Sequence, residues 1–293
     1  MTACIKTGAP WNVIQAWQQF TKSQGCGPER ADGIWGPQTE AAIGAFQREH
    51  AIHEVGPTGR YIVGPKTFAE AEKLGFKVPA VIVPPGNINV VIDISHYQTG
   101  VDMAKIKQAG KMAVIHKCTQ GTTMVDDKYA ERQQAAKKAG LLWGAYHFGE
   151  KGEGRAQAQH FLKNVHLDAD TVCVLDWERY KTKDGKDLTM TAQEAKEFIQ
   201  EFHRTTGQYP GLYGGAALRQ MMGPNPDPIF AKCWLWFARY TKTAQQIPAP
   251  WKTYTLWQYT SAVHVEGVDG CCDNNFYAGD EASLRKFWAE QSA

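Results

Sequence analysis

The chain has 293 residues, is 43% hydrophobic and 21% charged, and carries a formal net charge of +2. That length suits one large or two unequal domains with ample core. The charge is too small to argue for nucleic acid, and no apolar run reaches membrane-spanning length, so neither nucleic-acid binding nor membrane insertion is expected. The first residues, Met1 to Gly8, lack the apolar core of a secretory signal, which predicts synthesis in the cytosol without an export address of its own. Seven cysteines are scattered without the spacing of a disulfide framework, although a Cys4–Cys26 bridge is conceivable. No Cys-x-x-Cys or His-x-x-x-His spacing occurs, so no metal site is expected.

The first predicted helix runs through Val13, Ile14, Trp17 and Phe20. An imperfect repeat comes next: Gly33-Ile34-Trp35-Gly36-Pro37-Gln38-Thr39 is echoed by Tyr61-Ile62-Val63-Gly64-Pro65-Lys66-Thr67. Each proline stands where a helix would start, a position that suits its fixed φ and missing N–H. Helices then continue through Ala42, Ile43 and Phe46, and through Phe68, Ala71 and Leu74, at core-facing spacing. This segment, with Asp32 to Thr39, Ala41-Ala42-Ile43 and Phe46-Gln47, resembles the three-helix peptidoglycan-binding domain of wall-degrading enzymes. The resemblance implies a domain over 1–77 that holds peptide stems or glycan; the competing reading is a bundle that only spaces or stabilises the second domain. Prolines at 79, 84 and 85 with Gly86 mark a semi-stiff linker over 78–88.

From residue 89 to 293 strand-like and helical runs alternate. Strands are predicted at 90–95, 113–119, 142–148, 172–178, 211–214, 234–240, 254–260 and around 273–276. Helices are predicted at 103–109, 127–139, 155–164 and 191–206. This order predicts an α/β fold, a TIM-like (β/α) barrel with irregular late connections, preceded by the small three-helix bundle. Chemistry in such barrels lies at the C-terminal ends of the strands, where Asp93, Lys117, His147, Asp176, Glu178, Arg239, Gln258 and Asp273 fall.

Asp176-Trp177-Glu178 closes the buried run Val172-Cys173-Val174-Leu175. Because side chains alternate along a strand, both acids point one way and Trp177 the other. Two same-facing acids in one site repel, so one is held protonated toward neutral pH while the other stays ionised, as glycosidic-bond cleavage needs. The competing reading is a strand end with two solvated acids.

Residues 89–293 resemble glycoside hydrolase family 25, the lysozymes or muramidases. The likeness is carried in chain order by Asp93-Ile94-Ser95-His96-Tyr97-Gln98, Lys117-Cys118-Thr119-Gln120-Gly121, Tyr146-His147-Phe148 and Asp176-Trp177-Glu178. It continues with Trp236-Phe237-Ala238-Arg239-Tyr240, Leu256-Trp257-Gln258-Tyr259 and Asp273-Asn274-Asn275-Phe276. Cys271-Cys272 departs from the apolar residue that more often precedes the last acid. The resemblance implies hydrolysis of the β-1,4 bond between N-acetylmuramic acid and N-acetylglucosamine. Glu178 would be the general acid, Asp176 the group that orients the substrate's acetamido, and Asp93 and Asp273 would shape the field at the developing cation.

Tyr146, Lys117, Trp236, Arg239, Trp257, Gln258 and Tyr97 are the candidate substrate-binding residues, each with a purely structural alternative. His147, on an apolar strand, is expected to be a hydrogen-bonded core residue. No cofactor is implied. The whole reads as a phage endolysin: a monomer that binds peptidoglycan, made in the host cytoplasm and acting on the wall in the periplasm once a holin-type partner permeabilises the membrane. The alternatives are a non-catalytic wall-binding protein on a decayed barrel and a chitinase-like glycosidase. The first is disfavoured by the presence of all four acids, the second by the apolar residues ahead of Asp176.

Overall fold

A computed structural model describes residues 5–56, 58–168 and 170–292. Three helices come first: α1 (Trp11–Ser23), α2 (Pro37–Glu49) and α3 (Pro65–Lys73). Their apolar stripes meet around Trp17, Ile43, Phe46, Phe68 and Phe76. The repeat seen in the sequence is also a repeat of polar chemistry. Gln18 on α1 donates to Asp32 Oδ1, the Ile34 carbonyl and Thr39 Oγ1, and its own oxygen accepts Gly33 N–H. Gln47 on α2 does the same one repeat later, with the Glu54 and Ile62 carbonyls, Thr67 Oγ1 and Glu54 N–H. Each buried amide thereby pins the loop that leads into the next helix. Glu54 finishes the second loop by accepting the N–H groups of Lys66 and Thr67 at the start of α3, where the helix dipole favours an anion. Pro37 and Pro65 open their helices as expected.

The rest of the chain runs in the order β1 (Ile88–Ile94), α4 (Met103–Gln108), β2 (Ala113–Gln120), β3 (Met124–Val125), α5 (Tyr129–Lys138), β4 (Leu142–Phe148), α6 (Gly154–Asn164), β5 (Thr171–Asp176) and α7 (Ala192–Thr206). It continues with β6 (Gly211–Gly214), α8 (Leu218–Met222), a 3₁₀ turn (Pro228–Lys232), β7 (Leu235–Ala238), β8 (Leu256–Val263), β9 (Cys272–Tyr277) and α9 (Glu281–Gln291). Eight strands close into a barrel in the order β1-β2-β4-β5-β6-β7-β8-β9, with β3 a short appendage on β2. Neighbours are parallel from β1 round to β8; β9 runs antiparallel to both β8 and β1 and closes the ring.

Alternation sorts the barrel into two cores. Val91, Ile115, Val172, Val174, Trp236 and Leu256 fill the interior. Ile92, Val114, Trp143, Cys173, Leu175 and Trp177 face the surrounding helices. Trp177 is fully buried there, with its indole N–H on the Met190 carbonyl and its ring 5.4 Å from Phe230. That burial carries Asp176 to the opposite, inward face.

Three expectations need correction. Asp273 does not sit at a C-terminal strand exit: β9 is antiparallel, so its N-terminal end lies at the mouth, directly opposite Asp93 in the ladder. Glu178 lies two residues beyond the end of β5, not within the strand. Cys26 is a free thiol, which removes the Cys4–Cys26 pairing, and Cys4 itself lies outside the described residues; Cys271 is disulfide-bonded. α8, the 3₁₀ turn and α9 were not anticipated from the sequence, being short or weakly amphipathic.

Candidate active site

At the mouth of the barrel the inward-facing positions of separate strands converge on a cleft of about 260 Å³. Asp93, Asp176, Glu178 and Asp273 all line it, together with Lys117, Tyr146, Trp236, Gln258 and Tyr97. The structure therefore brings together nine of the sequence candidates and leaves out two, Trp257 and Arg239. The reason is strand parity. Gln258 faces inward, so Trp257 beside it faces out, where it packs on Phe276 at 5.4 Å and donates to the Arg239 carbonyl. Arg239 comes just after the end of β7 with parity opposite to Trp236, and its guanidinium reaches Gln246. His147 likewise faces out; it bonds Thr119 Oγ1 and Gln157 Oε1 and stacks on Phe198, and burial pushes its imidazole down to about 3. It is a neutral core residue.

Tyr213 and Tyr240 complete the wall and were not singled out as ligands. Tyr213 could have been found by the same parity rule, as the inward residue at the end of β6. Both phenols donate to Gln258 Oε1, at 2.9 and 2.7 Å. So oriented, Gln258 turns its amide N–H groups onto both Asp93 oxygens, at 3.0 and 3.1 Å. Asn275 adds a third bond to Asp93 at 2.8 Å, and is itself fixed by the Trp236 indole N–H at 2.6 Å. Asp93 is thus rigidly held by neutral donors, and no cation lies against it among the described residues.

The other acids are less satisfied. Asp176 Oδ1 is buried with no hydrogen-bond partner among the described residues. Lys117 is the cation nearest to hand, yet its ammonium donates to Gln120 Oε1 and lies 4.9 Å from the centre of the Phe148 ring. A one-residue slip between β2 and β4, between Lys117 and Thr119, marks where β2 kinks as it delivers this side chain.

Burial dominates the electrostatics. It pushes Asp93 up to about 6 against the pull of its Asn275 and Gln258 bonds, and Asp273 up to about 8 with the Asp93 charge adding to the rise. Asp176 is raised by burial and then by Glu178, with Lys117 opposing. Glu178 is raised by burial and restrained by Lys117. Four buried carboxyls in one cleft cannot all ionise together, so protons are shared among them. One acid can then donate a proton while another stays charged, which is the requirement for cleaving an acetal. Tyr146, Tyr213 and Trp236 supply ring surface beside the acids, suited to a sugar. Among the described residues no group of His, Cys, Asp and Glu is arranged to hold a metal ion.

The chain is similar to known proteins over the barrel. The sequence model of glycosyl hydrolases family 25 matches residues 92–268. Lysozyme M1 of Streptomyces globisporus is 30% identical over 204 residues, covering 66% of this chain and 69% of that protein. The N,O-diacetylmuramidase of a Chalaropsis species is 30% identical over 207 residues, covering 66% of this chain and 96% of that protein. Among solved structures, the bacterial lysozyme of Streptomyces coelicolor superposes with a TM-score of 0.63 at 28% identity, covering 70% of this chain and 99% of its own.

Proposed function

This chain belongs to glycosyl hydrolases family 25, and from that premise we propose that it cuts the β-1,4 bond between N-acetylmuramic acid and N-acetylglucosamine in peptidoglycan, with Glu178 as proton donor and Asp176 as the partner of the substrate's acetamido group. That it is a glycoside hydrolase of the muramidase kind is established by the family and its relatives. The residue roles are our reading of the cleft. Glu178 is half-buried at the mouth of the cleft, and burial raises its carboxyl while Lys117 restrains the rise. It is therefore the acid suited to protonate the leaving oxygen. Asp176 carries the observation on which this reading turns, a buried carboxyl oxygen with no partner among the described residues. Such an oxygen costs stability unless a ligand satisfies it, and an acetamido N–H is a donor of the right kind. Accepting that N–H raises the electron density on the acetamido carbonyl oxygen. The carbonyl oxygen attacks the anomeric carbon as the glycosidic bond breaks, and the bond's electrons leave with the oxygen that Glu178 protonates. Water then opens the cyclic intermediate, giving its proton to the Glu178 carboxylate. Asp93, held by Gln258 and Asn275, supplies the negative field that the cationic transition state needs, with Asp273 opposite it shaping that field.

In the same reading residues 1–77 bind the wall, 78–88 connect, and 89–293 carry the chemistry. The protein works as a monomeric phage endolysin that a holin-type partner admits to the periplasm. The test is a digest of purified peptidoglycan analysed by mass spectrometry. New reducing ends on muramic acid support the reading; ends on glucosamine, or freed amines, overturn it. Glu178→Gln should lower the rate by about 10³-fold with the fold intact, the size expected for loss of a general acid.

A further inference from the structure

The helical module is seated on the rim of the catalytic cleft. The Gly8 carbonyl accepts the Ser261 N–H at 3.0 Å and the Thr260 hydroxyl, both near the end of β8. Gly8 has φ of +86°, and a Cβ there would lie 2.1 Å from Ser261 Oγ and 3.6 Å from the Tyr240 ring, so only glycine fits this approach. Tyr240 is a cleft residue whose hydroxyl orients Gln258. Around this contact Ala9 and Ile14 pack on Ala262, Lys242 lies 5.0 Å from the Trp11 ring, and Asn12 donates to the Ala80 carbonyl of the connecting segment at 2.7 Å. The seat is apolar, hydrogen-bonded and continuous with the cleft wall.

Two residues before Gly8 stands Lys6. It is exposed, and its charge acts on Asp273 across the mouth of the cleft. The other cations at this rim are engaged, Lys242 by the Trp11 ring and Arg239 by Gln246. Burial already pushes the four carboxyls of the cleft up, so the cleft disfavours a further carboxylate among them, while the muramyl unit of peptidoglycan carries a peptide stem with free carboxylates. A glycan can lie in the cleft only with its anionic stems turned outward, toward the rim. We propose that Lys6 is a substrate-contacting specificity residue: a cation lent to the catalytic cleft by the helical module, which recognises a free carboxylate on the peptide stem of the bound glycan. The inference rests on the muramidase reading above.

The test uses the full chain and two forms of one substrate, soluble stem-bearing glycan strands with free carboxylates and the same strands amidated with methylamine through a carbodiimide. For the wild type, amidation should raise KM about three- to ten-fold, the range of one partly exposed charge pair, and sodium chloride should shrink that preference. Lys6→Ala should show the high KM on both forms, and Lys6→Arg should restore the preference. Gly8→Val, which lifts the segment off Ser261 with Lys6 intact, should also erase it. Equal KM values for the wild type on both forms, or a preference that survives in Lys6→Ala, would overturn the assignment. A preference that survives in Gly8→Val overturns the seating that delivers Lys6. If the wild type cuts neither form, the muramidase reading itself fails along with this one.

Discussion

In the helical bundle, Gln18 and Gln47 are buried and each makes four hydrogen bonds to its own loop and the helix after it. At the barrel mouth, Asp93 sits opposite Asp273 in the ladder, and Asp176 is buried with one oxygen unbonded among the described residues. Both regions bury polar groups, at similar depth. In the bundle the two amides meet donors and acceptors throughout, so polarity specifies loop geometry and a single packing. At the mouth two carboxyls face one another, an arrangement that costs stability once both ionise. Unpartnered polar burial is not confined to the cleft, since Trp17 Nε1 and Asn12 Oδ1 in the bundle lack partners among the described residues, but Asp176 is where such an atom lines a cavity.

The contrast predicts opposite responses to similar surgery. Asp176→Asn should lower muramidase turnover by about 10²- to 10³-fold, since an amide is a poorer acceptor than a carboxylate for the acetamido N–H; steady-state rates on soluble glycan check this. Gln47→Leu keeps the volume but strips the second loop of its partners, leaving the Glu54 N–H and the Ile62 carbonyl unpaired, and should cost about 2–3 kcal/mol. Denaturant unfolding monitored by tryptophan fluorescence reads that loss, and an unchanged midpoint would break the comparison.

Asp273→Asn should do the reverse and stabilise. Its folded-state carboxyl is raised to about 8 from an ordinary 3.8. The unfolded chain therefore releases this proton from about pH 4 while the folded one holds it, and stability falls as pH rises until the folded group ionises near 8. The amide escapes that loss, so the variant should gain roughly 1 kcal/mol, most clearly at pH 8 and above and little below pH 4; thermal melts across pH test the sign. Lys117→Met should give the smallest effect, seen only in the pH profile. Removing the ammonium lets Glu178 and Asp176 rise further, so the alkaline limb of activity should move to higher pH. A downward move would refute the assignment of Glu178 as acid.

Much of this site could be read before any fold was known, because strand alternation is local. Val172 to Glu178 presents two same-facing acids with Trp177 behind them, and Trp177 is indeed fully buried among the outer helices. The same rule, applied strictly, would have chosen Gln258 over Trp257 and Trp236 over Arg239, and would have added Tyr213. What periodicity does not reveal is strand direction. A short apolar run reads alike in either sense, so the antiparallel course of β9 was invisible, and with it the pairing of Asp273 with Asp93. The polar repeat was likewise half legible: the Gly-Pro loops stood out, whereas Gln18 and Gln47 look like ordinary surface residues of amphipathic helices until their loops fold over them.

By itself, then, the sequence determined which residue types stand at which strand ends and which face of each strand they share, since both derive from the two-residue period of an extended chain. The tertiary structure alone decided which of those faces meet. Closure of the barrel by an antiparallel strand put two aspartates opposite each other, and the close approach that Gly8 permits seated the helical segment beside Tyr240 of the cleft. Both depend on residues far apart in the chain, Asp93 with Asp273 and Gly8 with Ser261, and no local preference encodes contacts at that range.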